Sequence, residues 1–205
     1  MDTQKDHWEN VYSVKAPTEV SWYREHLETS LAWIQRVCPD HSSAVIDVGG
    51  GESTLVEDVL SLGYTDLSVL DISPTSLKIA SQRLGVAAEK VHWLVGNICE
   101  LELARSRYDL WHDRAVFHFL TSVEQRISYR AKAAASVKKN GHLIVSTFGP
   151  DGPLRCSGRD VVRYDADTLQ TEIGLGFRLV ESRIEDHITP SGGRQQFLYC
   201  LFVHA

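Results

Sequence analysis

The chain predicts an α/β fold: a doubly wound, mostly parallel seven-stranded sheet that ends in an antiparallel hairpin and carries an N-terminal helical lid. Three observations carry that prediction. The run Ala44-Val45-Ile46-Asp47-Val48 is short, apolar and β-branched, as a strand covered on both faces should be, and it leads straight into Gly49-Gly50-Gly51. From there to Phe148, strand-like and helix-like stretches alternate, the pattern of parallel strands joined by crossover helices. Beyond Phe177, two long strand-like runs flank Thr189-Pro190-Ser191-Gly192-Gly193-Arg194, which makes them a hairpin and therefore antiparallel.

Taken in order, residues 7–12 read as a short amphipathic helix or turn, and Lys15-Ala16-Pro17-Thr18 as a flexible connection. A longer helix opens at Ser21-Trp22-Tyr23 and ends before Pro39, with Leu27, Leu31, Ile34 and Val37 at helical spacing. Residues 1–40 are thus expected to fold as a lid over the sheet of residues 41–205, one domain in all. Ser53 is placed to cap a helix running to about Leu62. The second strand is 67–70, and Ser73-Pro74 starts the next helix, because proline in the first turn gives up a donor that has no helical partner. Strands follow at 90–95, 108–112 and 142–148, with a long helix over about 123–137 between the last two. The hairpin strands are 177–188 and 195–203.

With 205 residues, 43% of them hydrophobic, the chain can bury the core of one such domain but not two. Cys38, Cys99, Cys156 and Cys200 stand without any Cys-x-x-Cys pair, so neither a metal site nor a disulfide framework is expected, and free thiols fit a reducing cytoplasm. The polar start Met1-Asp2-Thr3-Gln4-Lys5-Asp6 lacks a signal core, and no run nears the roughly 18–20 apolar residues of a membrane span. A net charge of −6 argues against a broad nucleic-acid footprint.

In doubly wound sheets ligands bind beyond the carboxyl ends of the strands, and the chemistry-bearing residues gather there. The glycines let backbone approach a ligand. Asp71 ends the second strand 20 residues after Gly51, the separation at which an acid meets both hydroxyls of a ribose. A dinucleotide site wants a third glycine where Thr54 stands, and no Gly-x-x-x-x-Gly-Lys phosphate cradle is present. Glu52 in the turn would repel a pyrophosphate but tolerate a cationic amino-acid group. The nucleoside this selects is S-adenosylmethionine.

The chain resembles the class I, seven-stranded S-adenosylmethionine-dependent methyltransferases from about Trp8 to its end. Val45-Ile46-Asp47-Val48-Gly49-Gly50-Gly51 resembles the family's first motif, Leu70-Asp71-Ile72-Ser73 its ribose-binding strand, and Gly96-Asn97-Ile98 its Gly-Asp-x element, with asparagine for aspartate. The resemblance implies cofactor contacts from Asp47, Gly49, Gly50, Gly51, Asp71, Ile72, Asn97 and Ile98. It also implies that Asp113, in His112-Asp113-Arg114-Ala115-Val116-Phe117-His118, meets the methionine end. Asp113 and His118 are the candidate catalytic groups, His118 as a base or an orienting group, weighed against a packed core histidine. His112 reads as structural. Trp8, Tyr12, Trp22 and Tyr23 are expected over the substrate, where aromatic faces attract cations, or as the apolar stripe that fastens the lid. Arg114 and Cys156 complete the candidate substrate site, Cys156 in a turn-rich loop and without a neighbouring base that would make it a nucleophile.

The expected activity is direct methyl transfer to a small-molecule acceptor. A protein-lysine methyltransferase is the alternative, since Asp113 to Phe117 resembles the Asp-Lys-Gly-Thr-Phe loop of a branch acting on translation elongation factors. A non-catalytic cofactor-binding module is the third reading. No Asn-Pro-Pro-Tyr follows the fourth strand, which lowers a nucleic-acid substrate further.

Overall fold

Five consecutive buried residues make β1 (Ala44–Val48) the centre of the sheet. In the computed structural model, which describes residues 4–174 and 176–205, β1 lies parallel between β2 (Asp66–Asp71) and β4 (Tyr108–Arg114). The expected start of the lid at Met1-Asp2-Thr3 lies outside those residues. β3 (Val91–Val95) extends the sheet beyond β2, and β5 (Val137–Phe148) beyond β4. After a short hairpin, β6 (Arg155–Cys156) with β7 (Arg159–Asp160), come β8 (Phe177–Ile188) and β9 (Arg194–His204). β9 runs antiparallel to β5, and the seven-stranded order is β3-β2-β1-β4-β5-β9-β8.

Side chains alternate across the sheet with period two, and that alternation decides what reaches the site. Val45 and Asp47 on β1 share a face with Leu67, Val69 and Asp71 on β2 and with Leu110, His112 and Arg114 on β4. Phe197 and Tyr199 of β9 pack with Val45, Val69 and Leu110 in the core on this side. Ile46, Val48, Trp111 and Val145 line the opposite core. The first core is covered by α2 (Glu28–Val37) and α3 (Leu55–Ser61), the second by α5 (Val123–Ser136) and α6 (Ala166–Ile173).

Of the short amphipathic helix or turn expected over 7–12 the structure has the helix, longer at both ends as α1 (Gln4–Val14), with Trp8, Val11 and Tyr12 turned inward. The connection after it holds a 3₁₀ turn, Pro17–Glu19, whose Glu19 carboxylate accepts the Ala16 N–H. The helix expected from Ser21 begins only at Glu28. Residues 21–27 stay irregular because their carbonyls serve distant donors: Ser21 O bonds the His187 ring, Trp22 O takes an Arg114 N–H, and Arg24 O takes the Thr54 hydroxyl. Ser73 caps α4 (Pro74–Leu84) as expected, its hydroxyl accepting from Ser76 N. Ser53 accepts from Leu55 N as α3 begins. Among the described residues no helix is long and apolar enough to cross a membrane.

Candidate active site

The carboxyl ends of β1, β2 and β4 open into a cleft of about 1120 Å³, counting its mouth. Three acids line its β1–β2 wall: Asp47, Glu52 and Asp71. Asp71 has one oxygen fixed by Ser73 N–H at 2.8 Å, and its other oxygen lies beside Gly51. Burial pushes its carboxyl up to about 7, with Asp47 and Glu9 adding to the rise against the pull of hydrogen bonds from Ser73 and Ser76. Glu52 is 6% exposed, and both its carboxylate oxygens are buried without a hydrogen-bond partner. Burial lifts it to about 7 as well. The nearby Arg83 opposes the shift, but its guanidinium is committed to the backbone oxygens of Glu52 and Ser53 and to Glu57.

Asp47 is held differently. Its Oδ1 meets His112 Nδ1 at 2.7 Å, and His112 Nε2 meets Ser30 Oγ at 2.8 Å, a buried chain that ties β1 and β4 to α2. His112 lines the cleft, a position the sequence reading left as merely structural. Between these acids the glycines make room for the protein's own groups. A Cβ on Gly49, at φ +69°, would collide with Val116, and one on Gly51, at φ +48°, would stand 2.8 Å from the Tyr12 hydroxyl and 3.1 Å from Asp71.

The roof is aromatic. Trp8 packs against Tyr12, Trp22 and Phe119 with ring centres 5.1–6.0 Å apart, and Tyr12 also meets Trp22. Ile72 packs onto the same cluster from the β2 end. Trp8, Tyr12 and Trp22 pack as one apolar cluster and also line the cleft, where Tyr23 joins them. Glu9 latches α1 down, accepting hydrogen bonds from the Ser73 hydroxyl and from both N–H and hydroxyl of Thr75 at the start of α4. Burial works against its ionisation, yet those bonds win and hold it below the usual glutamate range.

Residues 45–141 match the family described as a methyltransferase domain. A malonyl-[acyl-carrier protein] O-methyltransferase of Anoxybacillus flavithermus is 36% identical over 107 residues, 51% of this chain and 39% of that protein. An eEF1A lysine and N-terminal methyltransferase of Mus musculus is 24% identical over 125 residues, 61% of this chain and 18% of that protein. The chain thus spans less than half the length of either relative. The solved structure of a SAM-dependent methyltransferase from Anabaena variabilis, 16% identical, superposes with a TM-score of 0.75 over 99% of this chain and 96% of that one. The fold is that of the class I, S-adenosylmethionine-dependent methyltransferases.

The acid wall of this methyltransferase fold suits that cofactor. Asp71 keeps one carboxyl oxygen that ribose hydroxyls would fit, and the unpartnered oxygens of Glu52 call for donors or positive charge, which a methionine ammonium or sulfonium would supply. Asn97 and Ile98 line the cleft at the β3 end, although Asn97 spends its carbonyl on Cys99 N–H and its amide on Glu100.

Two expected catalytic residues stand elsewhere. β4 continues to Arg114, so alternation sends Asp113 to the opposite face, outside the cleft lining, where Tyr129 OH donates to it at 2.7 Å and Val116 N–H at 2.9 Å. It caps the turn after β4; burial raises it to about 6 against those bonds. His118 is fully buried between Phe119 and Phe148, and its Nδ1 accepts the Phe148 N–H at 3.2 Å. Burial, helped by Arg114, drops it to about 3, which favours the neutral ring packed between these aromatics. Gly49 and Gly50 line the cleft, whereas Gly51 lies against the Tyr12 hydroxyl and Asp71 and does not. Cys156 lines it from β6, with its thiol pushed up to about 11 by burial and so uncharged. Among the described residues no group of three metal-ligating side chains converges.

Proposed function

We propose that this chain transfers the methyl group of S-adenosylmethionine to a small-molecule acceptor. The observation that carries the reading is the latched aromatic roof over an acid-walled cleft: Trp8, Tyr12 and Trp22 above, Asp47, Glu52 and Asp71 along one wall, with Glu9 fixing the roof to α4. Such an enclosure suits a compact acceptor better than a folded protein surface. The cofactor supplies an electrophilic methyl group on a sulfonium. The chain's own residues position: Asp71 orients the ribose, Glu52 and the Asp47–His112 pair face the cationic end, and the roof excludes water and presents ring faces to positive charge, an attraction of about 0.5–2 kcal/mol.

Neither His118 nor Asp113 is placed to take a proton from the acceptor, and Cys156 is protonated. We further propose that residues 1–40 act as the lid of one domain formed with 41–205, working in a reducing cytoplasm where its four thiols persist.

The protein-lysine reading keeps one specific support. A relative is named for methylating eEF1A, and Asp113 to Phe117 resembles the loop of that branch. Incubating the protein with methyl-labelled cofactor and cell extract, then separating by size, decides between them. Label in the small-molecule fraction supports the proposal. Label in a protein band supports the lysine reading, and label in neither leaves a binding module.

A further inference from the structure

The cleft is charged oppositely at its two ends. Its acids sit over β1 and β2, whereas Arg114 leaves β4 in the other direction, toward β5 and β9. There Arg114 Nε donates to Tyr199 OH at 3.0 Å and Nη1 to the Trp22 carbonyl at 3.0 Å, and the guanidinium lies 4.5 Å from the centre of the Phe197 ring. Its Nη2 is buried with no hydrogen-bond partner, and among the described residues no carboxylate forms an ion pair with it. His118 and His187 feel the same cation, since burial and Arg114 both push their rings toward the neutral form. The aromatic-walled cleft is thus lined by a fixed cation whose Nη2 leaves both its N–H groups unused, which is costly unless an anion completes it.

We propose that the methyl acceptor is a small carboxylic acid, anchored by its carboxylate on Arg114 Nη2 and methylated at another atom. The inference rests on the methyltransferase reading and adds the class of acceptor. The two N–H groups of Nη2 suit a planar, singly charged carboxylate, while a doubly charged phosphate would ask for more donors and more positive charge than one guanidinium nitrogen supplies. The same charge repels a lysine ammonium. The donor's own carboxylate is the competing occupant, and the position of Arg114 over β9, two strands beyond β4, sets it apart from the acid wall that receives the donor. In the transfer, the acceptor's nucleophilic atom bonds the methyl carbon as the carbon–sulfur bond breaks and its electron pair returns to sulfur, giving a neutral thioether. Any proton on that atom is released to water, and the carboxylate is unchanged.

The test starts from the purified full chain, methyl-labelled cofactor and heat-treated cell extract. The labelled small-molecule product is passed over an anion exchanger at pH 7. Retention is expected. A labelled product that flows through overturns the carboxylate anchor but leaves methyl transfer intact, and no labelled small molecule overturns the reading beneath it and the anchor with it. Arg114→Gln should then lower kcat/KM for the retained acceptor roughly 10- to 100-fold, the range of a charge-assisted hydrogen bond, with S-adenosylhomocysteine affinity unchanged by calorimetry. Tyr199→Phe, which keeps the charge and loses only a supporting bond, should keep most of the activity and the same acidic product. If Arg114→Gln instead weakens S-adenosylhomocysteine and spares 5′-methylthioadenosine, which lacks the amino-acid tail, the guanidinium holds the donor and the inference falls.

Discussion

Glu52→Gln should strengthen the ligand-free protein while weakening its hold on the cofactor. The side chain is 6% exposed, neither oxygen has a partner, and Arg83 is occupied by backbone carbonyls and Glu57. Its carboxyl rises from 4.5 to about 7, chiefly through burial. Each unit corresponds to about 1.4 kcal/mol, so an ionised Glu52 costs the folded state up to roughly 3 kcal/mol at pH 8. Because the folded-state value lies above the unfolded one, this cost is absent below about pH 4.5, grows through about pH 7 and is constant above. Glutamine keeps the shape without the charge but leaves an amide unpaired, so a gain of about 1–2 kcal/mol is expected at pH 8, or about 2–8 °C in Tm for a chain of this size. Thermal unfolding followed by tryptophan fluorescence at pH 5, 6, 7 and 8 reads it directly. The gap between variant and parent should widen with pH, and calorimetry at pH 8 should give S-adenosylhomocysteine a weaker affinity for the variant. A variant no more stable than the parent at pH 8, or a gap independent of pH, would refute the picture of an unpaired buried acid kept for its ligand.

Other outcomes follow from the same geometry. Asp71→Ala should weaken cofactor binding roughly 10- to 100-fold, the worth of charge-assisted hydrogen bonds, and unchanged affinity by calorimetry would remove the ribose assignment. Glu9→Ala loses bonds to Ser73 and Thr75 and should destabilise the lid by about 1–2 kcal/mol, seen as faster proteolytic cutting within α1 that bound S-adenosylhomocysteine slows. The latch carboxylate of Glu9 stays ionised at neutral pH, so the parent lid should loosen only as pH falls through and below the ordinary glutamate range. His118→Asn should lower Tm yet leave the shape of the pH–rate profile between pH 5.5 and 9 intact, whereas loss of a limb in the variant would restore the ring to a proton-transfer role.

The strands, the glycine turn and the acid ending β2 in the cleft were legible because each is written locally: an apolar run, a Gly cluster, an acid at fixed separation. The failures have one physical source, which is that local patterns do not say where tertiary bonds go. Residues 21–27 carry helix-compatible side chains, but their carbonyls are taken by Arg114, Thr54 and His187, groups distant in sequence. Ending β4 at His112 hid the alternation that separates Asp113 from Arg114. Had the strand been read two residues further, period two alone would have put His112 and Arg114 on the face of Asp47 and sent Asp113 to the other. The helix α6 announces itself through Asp165, which caps it by accepting Thr168 N–H, a signal passed over in the chain between Cys156 and Phe177. The glycine triplet was read correctly as a turn, yet its missing side chains accommodate Val116 and Tyr12 as much as any ligand.

A crystal structure with S-adenosylhomocysteine bound addresses the division of the cleft most directly. The ribose is expected on Asp71, the amino group toward Glu52, and the sulfur facing a chamber bounded by Trp22 and Arg114 with Nη2 still free. An amino-acid tail running to Arg114, or a ribose away from Asp71, would contradict it.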